Sequence, residues 1–171
     1  KYELTESLDE LIAMKTRLYD EMLRRERLVP ITGVVELLDY LRDGGWTLAI
    51  ASSSRRPVID YIISAIGVAD RFSFISSGDA VSKGKPDPEI FLKVSSHFGA
   101  APSGCVVIED AESGVKGAKA AGMTVFAFRN PNSGAQDLSA ADAVFCRYDE
   151  AIGLFRKRAQ SPNETVPSSI S

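Results

Sequence analysis

Two adjacent carboxylates follow an apolar run in the middle of the chain. Val106, Val107 and Ile108 are typical of a buried strand, and Glu109 and Asp110 come directly after it. Carboxylates that lie side by side repel each other unless protons or a cation compensate them. Magnesium, bound through one or two carboxylates, waters and phosphate oxygens, is the usual solution. The pair therefore favours a magnesium site.

Hydroxyls and cations collect after two other predicted strands. The strand that begins at residue 46 is followed by Ser52–Ser53–Ser54–Arg55–Arg56, and the strand that begins at residue 71 by a loop that contains Lys85. Ligands of an open parallel sheet bind outside the carboxyl ends of its strands. Each of these residues taken alone also has a purely structural explanation. The serines and Asp110 could be helix N-caps, and Lys85 could be a solvated loop residue. The combination favours a phosphate and magnesium site more than any member does.

The elements that must position these side chains alternate along the chain. Short apolar strands are predicted at 46–52 and 71–76 and from residues 104, 123 and 143, with single helices between most of them. Strands that are apolar throughout imply a parallel sheet covered on both faces by helices. The predicted fold class is therefore α/β, a doubly wound parallel sheet.

Two helices in this pattern carry further expectations. The helix after Lys85 is predicted to have Asp87 as its N-cap and Pro88 as its first residue. The helix after Asp110 places Gly114, Gly117, Ala118 and Ala121 on one face. Such small residues let a helix lie close to a sheet, and they receive no chemical role here.

Composition excludes several classes of partner. The 171 residues predict one domain, and 25% charged residues with a net charge of -3 give no reason to expect nucleic acid or an anionic membrane. No apolar stretch approaches the ~20 residues that span a bilayer, and the N-terminus does not resemble a signal peptide. Cys105 and Cys146 lie in apolar runs and are predicted to be buried thiols. The expected location is the cytoplasm.

Three motifs, in this order, resemble those of the haloacid dehalogenase superfamily. They are Ala51–Ser54, Gly84–Phe91 and Val107–Val115, the last followed by Ala120–Met123. Within the superfamily the chain resembles the phosphatases and the beta-phosphoglucomutase-like members with a small helical cap. The resemblance covers roughly residues 8–150 and implies a Rossmann-like core, Mg²⁺ as cofactor and a small phosphorylated metabolite as substrate.

The resemblance also implies a role for each matching residue. Ser52 would hydrogen-bond a phosphoryl oxygen, and Lys85 would balance charge on the phosphoryl group and the nucleophile. The backbone N–H of Ser53 would face the phosphate as well. Asp110 would ligate magnesium directly, and Glu109 would be a second ligand, either directly or through water.

The chain departs from the superfamily pattern before Ser52. The superfamily places an Asp-x-Asp motif at the end of a first, central strand, where one aspartate attacks phosphorus and the other acts as general acid and base. Nothing before Ser52 matches that motif, since Asp9 and Asp20 follow no apolar strand. This absence and the Lys1 start lead us to expect a fragment of a longer protein, inactive alone and lacking the central strand.

The expected organisation has three parts. Residues 1–29 resemble part of a helical cap, residues 30–155 the α/β core, and residues 156–171 are predicted to be a disordered tail because they lack apolar periodicity. Arg55 and Arg56, near the predicted cap, are candidates for contacts with substrate. The oligomeric state is not indicated.

The implied function is magnesium-dependent hydrolysis of a small phosphate ester through an aspartyl-phosphate intermediate. A phosphomutase of the same family and a non-catalytic binding protein with the same fold are the alternatives. A phospho-accepting signalling receiver also gathers acids, a hydroxyl and a lysine at a sheet rim. In receivers the acids come first and the lysine last, whereas the order here is Ser52, Lys85, then Glu109 and Asp110.

Overall fold

Parallel strands form two separate sheets in the structure, a computed structural model that describes residues 7–160. Strand β1 (Ala49–Ala51) pairs with β2 (Phe74–Ser76). Strand β4 (Thr124–Phe128) lies between β3 (Val106–Glu109) and β5 (Ala143–Phe145). The predicted parallel α/β fold is confirmed, and β1 and β3 each have one edge without a neighbouring strand in the described part of the chain.

Helices precede, connect and follow the strands. Their bounds are α1 Leu8–Arg25, α2 Val34–Asp43, α3 Arg56–Ala65, α4 Glu89–His97, α5 Glu112–Ala120 and α6 Tyr148–Gln160. Helices α3, α4 and α5 connect successive strands, as a parallel sheet requires. The connection from β4 to β5, residues 129–142, contains no helix. None of the described helices is long and apolar enough to cross a membrane.

Side chains of β4 alternate between two apolar cores. Val125 and Ala127 pack in a cluster with residues of α4 and α5, whereas Phe126 and Phe128 pack in a cluster with residues of α2 and α6. Successive residues of a strand point to opposite faces of its sheet, so this strand is buried on both sides. The alternation explains why its sequence is apolar throughout.

The start of α4 differs from the prediction. Pro88, rather than Asp87, is the N-cap, and the helix begins at Glu89. Oδ1 of Asp87 accepts a hydrogen bond from the backbone N–H of Glu89 at 3.0 Å. This is the kind of bond that a capping aspartate makes to the N–H two residues further on, so Asp87 still makes the capping contact one residue before the N-cap position.

The tail prediction is wrong for residues 156–160, which are the last residues of α6. Phe155 is 3% exposed, and its ring lies 5.2 Å from that of Trp46 and 5.3 Å from that of Phe126. Arg158 donates to Oγ1 of Thr124 and to the Ser103 carbonyl. Packing against β4 therefore holds this charged helix end in place, and residues 161–171 of the predicted tail lie outside the described residues.

The cysteine prediction fails at one position. Cys105 is half-buried, but Cys146 is exposed. Cys146 directly follows β5, an edge strand in which Val144 is also exposed while Phe145 is buried. One face of this strand meets solvent, and the apolar run does not reveal which residues lie there.

Replacing Phe155 by alanine tests whether α6 belongs to the core. We expect the free energy of unfolding to fall by about 3–5 kcal/mol, because a large buried ring is removed and a cavity remains. Urea denaturation monitored by circular dichroism measures the loss. Phe98→Ala is the matched control with a smaller expected loss, since Phe98 is exposed. Equal losses in the two variants would contradict the placement of α6.

Candidate active site

A cavity of about 340 Å³ lies at the carboxyl ends of β1 and β3. Ser52, Ser53, Lys85, Glu109 and Asp110 all contribute to its wall. These residues come from three separate segments of the sequence, which the parallel strand arrangement brings to one rim. The cavity therefore collects hydroxyl, ammonium and carboxylate groups, the residue types that the sequence predicted there.

Lys85 and Glu109 form an ion pair beside this cavity. Nζ of Lys85 donates to Oε1 of Glu109, and the two side chains are only 9% and 10% exposed. The same ammonium donates to the Ala51 carbonyl at 3.2 Å and lies over the ring of Phe91. Removing one member of such a pair leaves a buried charge without compensation, so the members depend on each other. The ammonium is also the cation that compensates one of the two adjacent acids.

Backbone donors engage the other oxygen of Glu109. Oε2 accepts from the N–H groups of Asp110 at 3.0 Å and Ala111 at 3.2 Å. Both carboxylate oxygens therefore have partners within the protein. To serve as the predicted metal ligand by direct contact, Glu109 would have to give up one of these hydrogen bonds or its ion pair with Lys85.

Asp110 has a different environment from its neighbour. Its Oδ2 accepts from Nδ2 of Asn130 at 2.8 Å and from Oγ of Ser133 at 2.7 Å. Within residues 7–160, no hydrogen bond reaches Oδ1, and no group of three or more His, Cys, Asp or Glu residues could hold a metal ion. Oδ1 of Asp110 is thus a carboxylate oxygen without a partner in residues 7–160, and oxygen atoms of this kind are the ligands that hard cations prefer.

The serine turn after β1 is fixed by the end of β2. The N–H of Ser52 donates to the Ser76 carbonyl at 3.0 Å, and the N–H of Gly78 donates to the Ser54 carbonyl at 2.9 Å. Oγ of Ser52 accepts from the N–H of Ser54 at 3.2 Å. A Cβ at residue 78 would overlap the Ser53 carbonyl, so glycine is required for this close approach.

Arg55 and Arg56, the two predicted substrate contacts, do not line the cavity. Arg55 donates to both carboxylate oxygens of Asp20 on α1, at 3.2 and 3.0 Å. Nε of Arg56 donates to both oxygens of Asp60 one helical turn further along α3. Arg55 therefore ties α1 to the rim, and a role of either arginine toward substrate stays a prediction.

Small residues of α5 serve the site directly. A Cβ at residue 114 would overlap the carboxylate of Glu109, and one at residue 117 would lie 3.1 Å from both the Phe91 ring and the Pro86 carbonyl. The sequence suggested only that such residues bring the helix close to the sheet. Gly114 also provides the space in which Glu109 meets Lys85.

Glu89 organises the loop that leads to Lys85. Its carboxylate accepts from the N–H and Oγ of Ser82, at 3.0 and 2.7 Å, and from the N–H of Lys83 at 3.0 Å. These bonds, the side-chain bond from Ser82 first, lower the pKa of Glu89 to about 2. The loop is therefore fixed by an ionised carboxylate.

The motifs did not reveal three residues near the carboxylates. Asn130 and Ser133 lie in the long β4–β5 connection, and Tyr148 lines the cavity next to the Phe128 ring, 4.7 Å away. Burial, with a contribution from the Asp110 charge, raises the pKa of Tyr148 to about 12. For Asn130 and Ser133, the position in the sequence could have indicated the site, because the β4–β5 loop follows a strand whose carboxyl end lies at the same rim.

Comparison with known proteins identifies relatives of the chain. The sequence model described as haloacid dehalogenase-like hydrolase matches residues 1–128. Protein CbbY of Rhodobacter capsulatus is 34% identical over 131 residues, 75% of this chain and 58% of that protein. The beta-phosphoglucomutase of Bacillus subtilis is 36% identical over 117 residues, 67% and 50% of the two chains. The phosphorylated carbohydrates phosphatase of Thermotoga maritima is 30% identical over 159 residues, 91% and 74%.

Solved structures share the fold. A conserved haloacid dehalogenase-like protein of unknown function from Agrobacterium tumefaciens matches with a TM-score of 0.77 at 30% identity. The match covers 91% of this chain and 72% of the other. The chain spans about half the length of the first curated relatives, 58% of one and 46% of another.

Replacing Gly114 by alanine tests the space at Glu109. We expect a loss of about 1–3 kcal/mol in the free energy of unfolding, because the added methyl group displaces the carboxylate or the helix. Gly153→Ala in α6 is the matched control, since nothing lies within 4 Å of its Cβ position. That variant should gain about 0.5–1 kcal/mol from helix propensity. Chemical denaturation measures both, and a gain in Gly114→Ala would refute the assignment.

The ionisation of Glu89 gives a prediction for acid pH. Because its folded-state pKa is about 2 against an ordinary value of 4.5, its stabilising contribution is complete above pH 4.5. It is lost as the pH falls toward 2. A carbon-13 NMR titration of the Glu89 carboxyl measures the pKa directly. Ser82→Ala should raise that pKa toward 4.5, whereas a wild-type value already near 4.5 would contradict the hydrogen-bond network.

Proposed function

The chain belongs to the haloacid dehalogenase-like hydrolase family, and on that basis we propose that it carries the phosphate- and magnesium-binding part of a phosphatase. The substrate is a small phosphorylated metabolite, and the reaction proceeds through an aspartyl-phosphate. The observation that carries this proposal is that Ser52, Ser53, Lys85 and Asp110 line one and the same cavity. The relative from Thermotoga maritima, named a phosphorylated carbohydrates phosphatase, supports the substrate class.

The residues of the cavity fit the needs of phosphoryl transfer. This reaction depends mainly on positioning and on neutralising the charge of the phosphoryl oxygens. Oγ of Ser52 and the N–H of Ser53 are neutral donors at the rim, and Lys85 is a buried cation held close to the end of β1 through the Ala51 carbonyl. Together they bind and orient a phosphoryl group.

Asp110 is the residue that would hold magnesium, with Glu109 as a further candidate if it exchanges its present partners. When bound, Mg²⁺ would supply additional charge neutralisation at the phosphoryl oxygens. The remaining functions rest on the chain itself. Lys85 balances negative charge, and Glu109 holds the Lys85 ammonium at the cavity wall.

The nucleophile is proposed to lie on a strand between β1 and β3. Each of these strands has one edge without a partner in residues 7–160, and both end at the cavity. Unpaired edges of a buried sheet are normally covered or paired. A strand that ends in Asp-x-Asp would fill this position and bring an aspartate to the phosphoryl site. The relatives, about twice as long as the matched region, have room for such a strand.

A phosphomutase is the second candidate function. The relative from Bacillus subtilis at 36% identity is named a beta-phosphoglucomutase. A mutase shares the phosphoryl site with a phosphatase and differs in returning the phosphoryl group to sugar instead of water. The residues described here serve both reactions, and the cytoplasmic location expected from the sequence stays a prediction.

The test is an assay of the native protein, isolated whole from its source, with Mg²⁺ and a panel of hexose 1-phosphates and hexose 6-phosphates. We expect release of inorganic phosphate, and Lys85→Ala should lower kcat/KM at least about 100-fold because it removes a preorganised charge. Lys116→Ala is the matched control, because Lys116 is exposed on α5 and pairs with Glu112.

Each other outcome has a definite meaning. If the product is an isomeric sugar phosphate and no inorganic phosphate is released, the protein is a mutase and the phosphatase proposal is wrong. Full activity in Lys85→Ala would overturn the role of that lysine. If no substrate is turned over and mass spectrometry shows that the sequence of the whole protein lacks an Asp-x-Asp motif, both enzyme proposals are wrong. A non-catalytic binding protein is then the remaining alternative.

A further inference from the structure

The β4–β5 loop reaches the end of β3 through a connected set of hydrogen bonds. Asn130 and Ser133 donate to Oδ2 of Asp110, as described above. Oδ1 of Asn130 accepts from the N–H of Asn132 at 3.0 Å, so both ends of the Asn130 amide are engaged. Gln136 donates to the Ser133 carbonyl at 2.9 Å and accepts from the N–H of Glu112 at 3.0 Å. The loop therefore holds its two donors in fixed positions.

Both donors meet the same oxygen of Asp110. An ionised carboxylate offers about four lone-pair sites, two on each oxygen. Two short bonds, 2.8 Å from Asn130 and 2.7 Å from Ser133, fill the sites on Oδ2. Oδ1 accepts no hydrogen bond from residues 7–160. A cation that approaches Asp110 therefore meets one available oxygen.

This asymmetry matters for the choice of metal. Mg²⁺ is small and requires near-octahedral coordination, which a carboxylate satisfies with one oxygen. Ca²⁺ takes six to eight oxygens and often binds both oxygens of one carboxylate. We propose that Asn130 and Ser133 determine the metal specificity of the site, because they restrict Asp110 to one-oxygen coordination and so favour Mg²⁺ over Ca²⁺. The proposal rests on the proposed function, which places the metal on Asp110.

Both residues act through Asp110 and neither lines the cavity, so both are positioning residues. A merely structural role, in which the two bonds only tether the loop, would change the affinities for both ions together. The informative readout is the ratio of the Mg²⁺ and Ca²⁺ affinities. Removing an outer partner of a metal ligand typically changes metal affinity 10–100-fold.

The experiment measures binding of Mg²⁺ alone and Ca²⁺ alone to the whole native protein by isothermal titration calorimetry. In Asn130→Ala/Ser133→Ala we expect the affinity ratio to shift toward Ca²⁺ by about tenfold. Asn132→Ala is the matched control, since only the backbone N–H of Asn132 takes part in the network. It should keep the wild-type ratio.

Two controls separate the possible failures. Wild-type Mg²⁺ affinity in Asp110→Asn, or no metal binding by the wild type, would overturn the metal site of the proposed function and this inference with it. Loss of binding in Asp110→Asn with an unchanged ratio in the double variant would overturn this inference alone. If the double variant does not fold by circular dichroism, Ser133→Ala alone should shift the ratio in the same direction, and an unchanged ratio there would also overturn it.

Discussion

The buried pair of Lys85 and Glu109 is the interaction on which the rest of the site depends. Two opposite charges with about a tenth of each side chain exposed can be kept only if their remaining polar atoms are also satisfied. The Ala51 carbonyl and the N–H groups of Asp110 and Ala111 meet that requirement. The pair thus joins three chain segments, the end of β1, the loop before α4 and the end of β3. Each segment carries one of the groups predicted to bind phosphate or metal.

The ion pair also depends on residues outside the cavity that are not predicted to bind phosphate or metal. Gly114 must lack a side chain because the Glu109 carboxylate occupies that space. Glu89 must accept from Ser82 and Lys83 to fix the loop that delivers Lys85. Since β1 and β3 are not paired to each other in residues 7–160, this ionic contact is a direct link between the two sheets at the cavity.

Sequence reasoning predicted the parallel fold and the cavity residues because both follow from local patterns. Apolar strands with short motifs at their carboxyl ends place Ser52, Lys85 and Asp110 at one rim. The partner of Glu109 was not predictable in this way, since contact between two loops depends on their relative position in space. Asn130 and Ser133 were missed because their loop matches no motif. The end of α6 was missed because residues 156–160 are mostly charged or polar and lack apolar periodicity, whereas Phe155, directly before them, packs in the core.

Glu109 and Asp110 have different partners because they are consecutive residues at the end of a strand. Successive side chains at a strand end point to opposite sides of the backbone. Glu109 therefore turns toward Lys85, while Asp110 turns toward Asn130 and Ser133. One acid has all its oxygens used within the protein, and the other keeps one oxygen available. The repulsion that first indicated a metal is thus relieved in part by an ammonium group, so Asp110 is the stronger candidate for cation binding.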